Sequence, residues 1–362
     1  MKHIVCFHLY NDYSGSPKVL AMTLKVLTRK SFKIDLITSR GGILDSLEEN
    51  GNIKMHTYPY RFSDHWGITM IRYTGIQLYT FFFAFRYLFQ KNVIFYINTI
   101  LPAGPALAGK LMGKRIVYHY HENAFVKGRF YRFLCRMMQG LADEIICVSE
   151  YQRGFLKRQQ AVETIPNAVP DSFCRQFSEH TVSKKKEKRV LMLSSLKLYK
   201  GTLEFIQLSH ELPFYAFDLI INNTQAEINH FLQEHKIVVP TNLHIYERQS
   251  DVVPFYREAS LVLNLSNKDL FIETFGLTAL EAMVAGLPVI VPTQGGISEM
   301  VEEGVNGYKI DVQDLNLIVQ RIKQLFSDPD LYNSLASNAK RMSSQYDSER
   351  MCSRIVSLFE KK

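Results

Sequence analysis

Several things are scarce or missing in this sequence. Its five cysteines, Cys6, Cys135, Cys147, Cys174 and Cys352, are odd in number, scattered and nowhere spaced C-x-x-C. That speaks against a disulfide framework or a zinc site, and for a reducing compartment. No low-complexity block interrupts the chain. Its first residues, MKHIVCFHLYND, carry an apolar run too short for a signal peptide and read as a buried strand, so a cytoplasmic protein is expected. No G-x-G-x-x-G opens either half, which disfavours a dinucleotide enzyme. GPALAGKL at 104–111 fits G-x-x-x-x-G-K but puts Leu111 where a P-loop needs a hydroxyl for magnesium, so it reads as an ordinary helix start. Asp328-Pro329-Asp330 likewise reads as a capped helix start and not as a metal pair.

Acidic residues are scarce in one half only. Residues 1–175 hold 23 Lys and Arg against 12 Asp and Glu, a net of +11, while the whole chain is +8. From Arg61 to Arg136 eleven basic residues meet two acidic ones, amid aromatic runs such as YTFFFAFRYLF. A basic, aromatic surface attracts anions, either nucleic acid or anionic lipid. No base-stacking pattern supports nucleic acid. Arg72 and Arg86 leave thirteen uncharged residues between them, too few to span a bilayer. A helix lying on the interface and a buried aromatic helix with snorkelling arginines both stay open.

What is present is a 362-residue chain, 46% hydrophobic and 22% charged, long enough for two domains with their own cores. Continuous apolar runs at 3–8, 32–38, 93–98, 115–120 and 144–149 alternate with amphipathic stretches, and a second set follows at 189–194, 217–222, 243–247, 261–266 and 288–292. That pattern predicts two doubly wound α/β domains with parallel sheets covered on both faces. The expected division is 1–178, a polar linker at 179–189, 190–345, and a C-terminal helix at 346–362 that packs back on the first domain.

Candidate ligand-handling residues follow the strands. Gly15 and Ser16 lie between the first strand and the first helix, where a glycine admits a ligand to the backbone. His121 ends a later strand of the same domain, at the edge where such folds bind ligands. Lys200-Gly201 precedes a helix in the second domain and could set an ammonium beside bound phosphate. ETFGLTALEAM then places Glu273 in a loop, Gly276 at a helix start, and Glu281 as the one charge between Thr274 and Ser298. The amides of Phe275, Gly276 and Leu277 lie between the two carboxylates, where an anion could sit. A carboxylate in a core-like helix needs partners, either a ligand or the amides of a neighbouring loop.

The span Glu273 to Glu281 resembles the E-x7-E motif of the retaining family 4 glycosyltransferases. SGS at 14–16, His121, ICVSEYQRGFLK at 146–157, TIPNAVP at 164–170, KG at 200–201 and GLPVIVPTQGGISEMVEEGVNGYKI at 286–310 resemble the family's other pieces, in order. The resemblance implies a GT-B fold, two Rossmann-like domains facing a cleft, with a nucleotide-sugar held by the second. It implies that Glu281 holds the donor ribose and Glu273 the hydroxyls of the transferred sugar. Lys200 would neutralise the leaving diphosphate, His121 would contact the sugar, and Gly15 and Ser16 would admit acceptor or diphosphate. The family's usual arginine five residues before the lysine is Ser195 here, which removes one fixed cation, and Lys197 is the residue that could replace it.

The resulting expectation is a metal-independent retaining hexosyltransferase without a cofactor, acting on a UDP- or GDP-sugar. Its acceptor is a saccharide or lipid-linked oligosaccharide of cell-surface polysaccharide assembly. It would be cytoplasmic and peripheral on an anionic membrane's inner face, with no nucleic-acid partner. The alternatives are another GT-B enzyme, a phosphorylase or nucleotide-sugar epimerase, or a binding protein that has lost its chemistry.

Overall fold

The computed structural model describes residues 2–49, 51–63, 65–178 and 188–361. The expected linker falls outside the described residues except for Lys188 and Arg189. The chain divides into two compact units, Met1–Asn167 with Glu349–Lys362, and Ala168–Ser348.

The first unit holds seven strands: β1 (His3–His8), β2 (Lys33–Ser39), β3 (Ile53–Tyr58), β4 (Val93–Asn98), β5 (Arg115–Tyr120), β6 (Glu144–Cys147) and β7 (Val162–Thr164). They form one parallel sheet in the order β3-β2-β1-β4-β5-β6-β7. The second holds β8 (Arg189–Ser194), β9 (Ala216–Ile221), β10 (Leu243–Tyr246), β11 (Leu261–Leu263), β12 (Val289–Val291) and β13 (Gly307–Lys309). These too are parallel, in the order β10-β9-β8-β11-β12-β13. The order reverses direction between β1 and β4 in one sheet and between β8 and β11 in the other. Crossovers leave to opposite sides there, and a crevice opens at the strands' carboxyl ends.

The sequence accounts for the central strands. VIFYIN of β4 and AFDLII of β9 are buried at every position, as a strand covered by helices on both faces requires. Edge strands β3, β7 and β13 are partly exposed, and the last two are only three residues long, so continuous apolar runs do not reveal them. β11 stops at Leu263 and not at Ser266, because the Asn264 side chain accepts from the Ser266 amide at 3.1 Å and turns the chain out of the ladder.

Charges inside the sheets are partnered. Asp35 of β2 accepts from the Tyr87 hydroxyl at 2.6 Å and lies 3.3 Å from His3, and Asp218 of β9 accepts twice from Arg189 at 2.8 Å. Removing either partner would leave a carboxylate uncompensated in low dielectric.

One boundary differs from the sequence reading. The helix Asp171–Ser178 belongs to the second unit: Phe173 meets the Tyr256 ring edge-on at 5.7 Å, and Lys340 donates to the Phe177 carbonyl at 2.8 Å. The C-terminal helix, Ser348–Glu360, joins the first unit. Its last carbonyls, at Leu358, Phe359, Glu360 and Lys361, accept from Arg115 and Lys2 at 2.6–3.0 Å, so cations meet the negative end of the helix. Phe359 is buried against Tyr96, with ring centroids 5.1 Å apart.

Candidate functional site

The densest cluster of candidate residues stands at the reversal of the second sheet, after β8 and β11. A short 3-10 turn, Leu198–Lys200, leads into Gly201 and the helix Thr202–Glu211. Gly201 has φ +75°, and a Cβ there would sit 2.3 Å from the Leu265 carbonyl oxygen, so only glycine lets the two loops touch. The loops are stitched further. The Asn267 amide donates to the Tyr199 carbonyl at 2.8 Å, and Tyr199 stacks on Phe271 at 4.8 Å. Lys200 lies over the same Phe271 ring, 4.1 Å from its centroid, and forms an ion pair with Glu273.

Glu273 also accepts from the Ser266 hydroxyl at 3.0 Å. Burial pushes its pKa up, but the Lys200 ammonium and the bonds from Lys200, Ser266 and Asn264 outweigh it and hold the carboxyl below its ordinary value. Glu273 is therefore ionised at neutral pH. The side chains of Lys200 and Glu273 keep 22% and 15% exposure, enough for a ligand to reach them.

Glu273 continues into the helix Leu277–Val284 through Gly276, whose φ is +91°. A Cβ on Gly276 would lie 2.4 Å from Ile297. The first amides of this helix have no intrahelical acceptor, so the helix start is electropositive beside the Glu273 carboxylate. Glu281 sits on the second turn. It is partly exposed and not fully buried, and its Oε2 accepts from the Tyr256 hydroxyl at 2.7 Å. Neither alternative weighed for its partner included a tyrosine. Tyr256 is itself 1% exposed; burial, then the Glu281 charge, raise its pKa well above the ordinary range, so it stays a donor.

Ser195 and Lys197 are less engaged. Ser195 contributes its carbonyl, which accepts from Thr202 Oγ1 at 3.1 Å. Lys197 is exposed, its ammonium 6.0 Å from the Tyr199 ring centroid. Thus Lys200, Glu273 and Gly276–Glu281 are brought together, with Tyr256, Ser266 and Phe271 as the contributors that sequence reasoning missed.

In the first unit the reversal lies between β1 and β4, and it holds a different arrangement. Gly15 starts the helix Gly15–Arg29, and Ser14 ahead of it is tied back to Asp12 at 2.6 Å. His121 follows β5. Its Nε2 donates to Asn98 Oδ1 at 3.1 Å, and the Asn98 amide donates to His8 Nδ1 at 3.0 Å. His119, its ring tilted against that of His121 with centroids 4.1 Å apart, meets the Tyr96 hydroxyl at 2.7 Å. Burial lowers the pKa of His8 to about 4 and of His119 to about 3. Burial, then repulsion from His119 and His8, lowers that of His121 well below 6.5. All three rings are neutral, and the Asn98 amide sets the proton on Nε2 of both His8 and His121. Thr99, just after Asn98, is held at φ +74°, a strained conformation for a β-branched residue.

Among the described residues, no group of three or more His, Cys, Asp and Glu is placed to hold a metal ion.

Comparison with known proteins matches each unit to a family model. Glycosyltransferase Family 4 covers residues 13–173, and Glycosyl transferases group 1 covers residues 175–342. An uncharacterised glycosyltransferase of Methanocaldococcus jannaschii is 23% identical over 87% of this chain and 88% of its own. The N-acetyl-alpha-D-glucosaminyl L-malate synthase of Bacillus anthracis is 33% identical, but the match spans 33% of this chain and 32% of that protein. Anabaena HepE, solved in complex with UDP and glucose, superposes with a TM-score of 0.79 at 18% identity, over the full length of both chains. Sucrose-phosphate synthase of Thermosynechococcus elongatus also gives 0.79, at 16% identity over 99% and 98%. Two parallel Rossmann-like sheets, each matched by its own half of one enzyme family, identify the chain as a member of the group 1 glycosyltransferases with the GT-B fold.

Proposed function

We propose that this chain transfers a hexosyl group, with retention at the anomeric carbon and without a metal, from a UDP- or GDP-sugar to a saccharide acceptor. The observation that carries this reading is the Lys200–Glu273 ion pair beside the start of the helix Leu277–Val284, at the reversal of the second sheet. Diphosphate seats on the helix amides with Lys200 across from it. Glu281, braced by Tyr256, takes the ribose hydroxyls, and Glu273 takes those of the hexose. The amides of Phe275 to Thr278 lie between. His121, with Gly15 and Ser16, serves sugar and acceptor.

In this reading the bond from the anomeric carbon to the diphosphate oxygen breaks as the acceptor oxygen bonds to the same face. The acceptor's proton passes to the departing phosphate. Glu273 is unsuited to general acid work because its pKa lies below the ordinary value and it is held as a carboxylate. Lys200 and the helix start stabilise the charge that develops on the leaving group, usually the largest contribution to such a transfer. The complexes of HepE with UDP and with UDP-glucose favour a UDP-sugar as the first donor to try.

The acceptor is proposed to be lipid-linked, within cell-surface polysaccharide assembly, which would have the enzyme work peripherally at the inner face of a membrane. A thermal-shift panel of UDP-, GDP-, ADP- and TDP-sugars tests the donor half. One nucleotide class is expected to raise the melting temperature of the wild type and to lose most of that shift in Glu281→Ala. A shift of equal size in the variant would contradict the ribose role.

A further inference from the structure

We infer that the outer surface of three adjoining helices in the first unit is a docking face for an anionic lipid surface. The helices are Trp66–Ala84, Ala103–Leu111 and Arg129–Leu141. The first packs on the second and the second on the third. Their inner residues, among them Phe83, Ala106 and Met138, belong to one core cluster with Phe95 and Tyr118 of the sheet, so all three cover the same sheet face.

Each helix then presents a second stripe, away from that core. On the first, Trp66 is 77% exposed, Ile71 75% and Phe82 68%, with Leu78 and Tyr79 between them. The spacing of Ile71, Leu78 and Phe82 keeps them on one side of the helix. On the second helix Leu107 and Leu111 are exposed, one turn apart. On the third, Arg129, Arg132, Phe133 and Arg136 recur at helical spacing and all are exposed. Exposed large apolar side chains repeated over neighbouring helices on this scale are uncommon on a surface that meets only water.

Charge selects the occupant. Five exposed basic residues stand on these helices, Arg72, Lys110, Arg129, Arg132 and Arg136, and the whole span from Arg61 to Arg136 holds two acidic ones. One of those, Glu122, is partly buried and accepts from the Ile100 amide at 3.2 Å. Exposed aromatics flanked by arginines fit the boundary between anionic headgroups and acyl chains. Among the described residues no helix is long and apolar enough to cross a membrane, so the face would lie on the bilayer. The two readings of the aromatic helix left open by the sequence are resolved in part: Tyr73 and Phe83 are buried, while Trp66, Ile71 and Phe82 are not.

This deepens the acceptor half of the proposed function and rests on it only for its purpose; the surface can fail while the transfer chemistry stands. Trp66 is the single tryptophan of the chain, so its emission reports directly on the patch. The full chain is mixed with phosphatidylcholine vesicles, with or without about 30% phosphatidylglycerol, and followed by flotation and by tryptophan fluorescence. Co-flotation and a blue shift are expected with the anionic vesicles only. Ile71→Ser/Phe82→Ser and, separately, Arg129→Glu/Arg132→Glu/Arg136→Glu should each weaken vesicle binding by about tenfold or more. Their response to nucleotide-sugar in the thermal-shift assay should be unchanged, which separates lost docking from lost folding and from a wrong donor site. Wild type that neither floats nor shifts, or a charge-reversed variant that binds like wild type, overturns the proposal. So does light scattering that finds a dimer dissolved by Ile71→Ser/Phe82→Ser, for then a second copy covers the face.

Discussion

The two sheets reverse at equivalent places, yet the groups gathered there have opposite electrical character. At the end of β8 and β11 a full ion pair, Lys200 with Glu273, is kept partly exposed. At the ends of β1, β4 and β5 are three neutral imidazoles: Asn98 joins His8 to His121, and His119, bonded to Tyr96, lies against the His121 ring. A strand-end crevice supplies a location and leaves open what it will bind. The charged crevice suits a ligand that brings charge of its own. The neutral one suits hydroxyl groups, whose recognition needs fixed donors and acceptors and gains nothing from net charge.

The sharpest way to break the comparison is to discharge the charged crevice. Lys200→Met keeps most of the side-chain volume over Phe271 but leaves the Glu273 carboxylate without its cation. The pKa of Glu273 should rise, because burial, the largest influence on it, is then no longer outweighed by the ammonium. Loss of a donor aimed at a developing anion costs about 100- to 1,000-fold in kcat. Steady-state transfer assays with the donor found in the thermal-shift panel should therefore show a drop in kcat of that order. A loss confined to KM would mean that Lys200 holds the donor without acting on the departing phosphate.

Acid should separate the two units. His8 and His119 have folded pKa values of about 4 and about 3 against an ordinary 6.5. Between pH 6.5 and 4 the unfolded chain therefore binds protons that the folded first unit refuses. Stability is lost as pH falls through that window, by up to about 1.4 kcal/mol per pH unit for each such histidine. Glu273 also has a lowered folded pKa, but its contribution persists until pH falls below the ordinary carboxylate value near 4.5. Hydrogen exchange read by mass spectrometry at pH 7, 5.5 and 4.5 should show amides of β1, β4 and β5 losing protection before those of β8 and β11. Parallel loss in both sheets would remove the distinction drawn between the crevices.

How much of this was legible in the sequence follows the same line. Glu273, Gly276 and Glu281 lie within nine residues, so their spacing alone puts them on one loop and one helix start. Lys200-Gly201 was readable because it follows a strand and precedes a helix. Tyr256 and Phe271 were not. Tyr256 lies before β11 and reaches Glu281 only because β11 and the helix Leu277–Val284 are neighbours in the folded unit. Phe271 sits under Lys200 because β11 is placed beside β8, past β9 and β10, a fact of sheet order that no local pattern carries. His8 was hidden for the same reason: it ends a strand that reads as core, and only the pairing of β1 with β4 brings it to Asn98. The exposed face of the aromatic helix stayed ambiguous because nearly every residue of WGITMIRYTGIQLYTFFFA is apolar or small, so composition does not say which side meets the sheet.

The smallest expected effect concerns the cation that the family's pattern supplies and this chain lacks. Ser195 offers a carbonyl to Thr202 Oγ1 and carries no charge, so Lys197 is the remaining candidate for a second cation at the diphosphate. Its position argues against the substitution. The side chain is exposed, rests near the Tyr199 ring and is solvated, whereas Lys200 is packed on Phe271 and paired with Glu273. A solvated ammonium on a flexible stem contributes less than about 1 kcal/mol to a nearby anion, so Lys197→Met should lower kcat/KM by no more than about fivefold. A loss of tenfold or more would mean that donor binding draws Lys197 inward. The charged crevice would then be completed by its ligand, while the neutral one is built in advance.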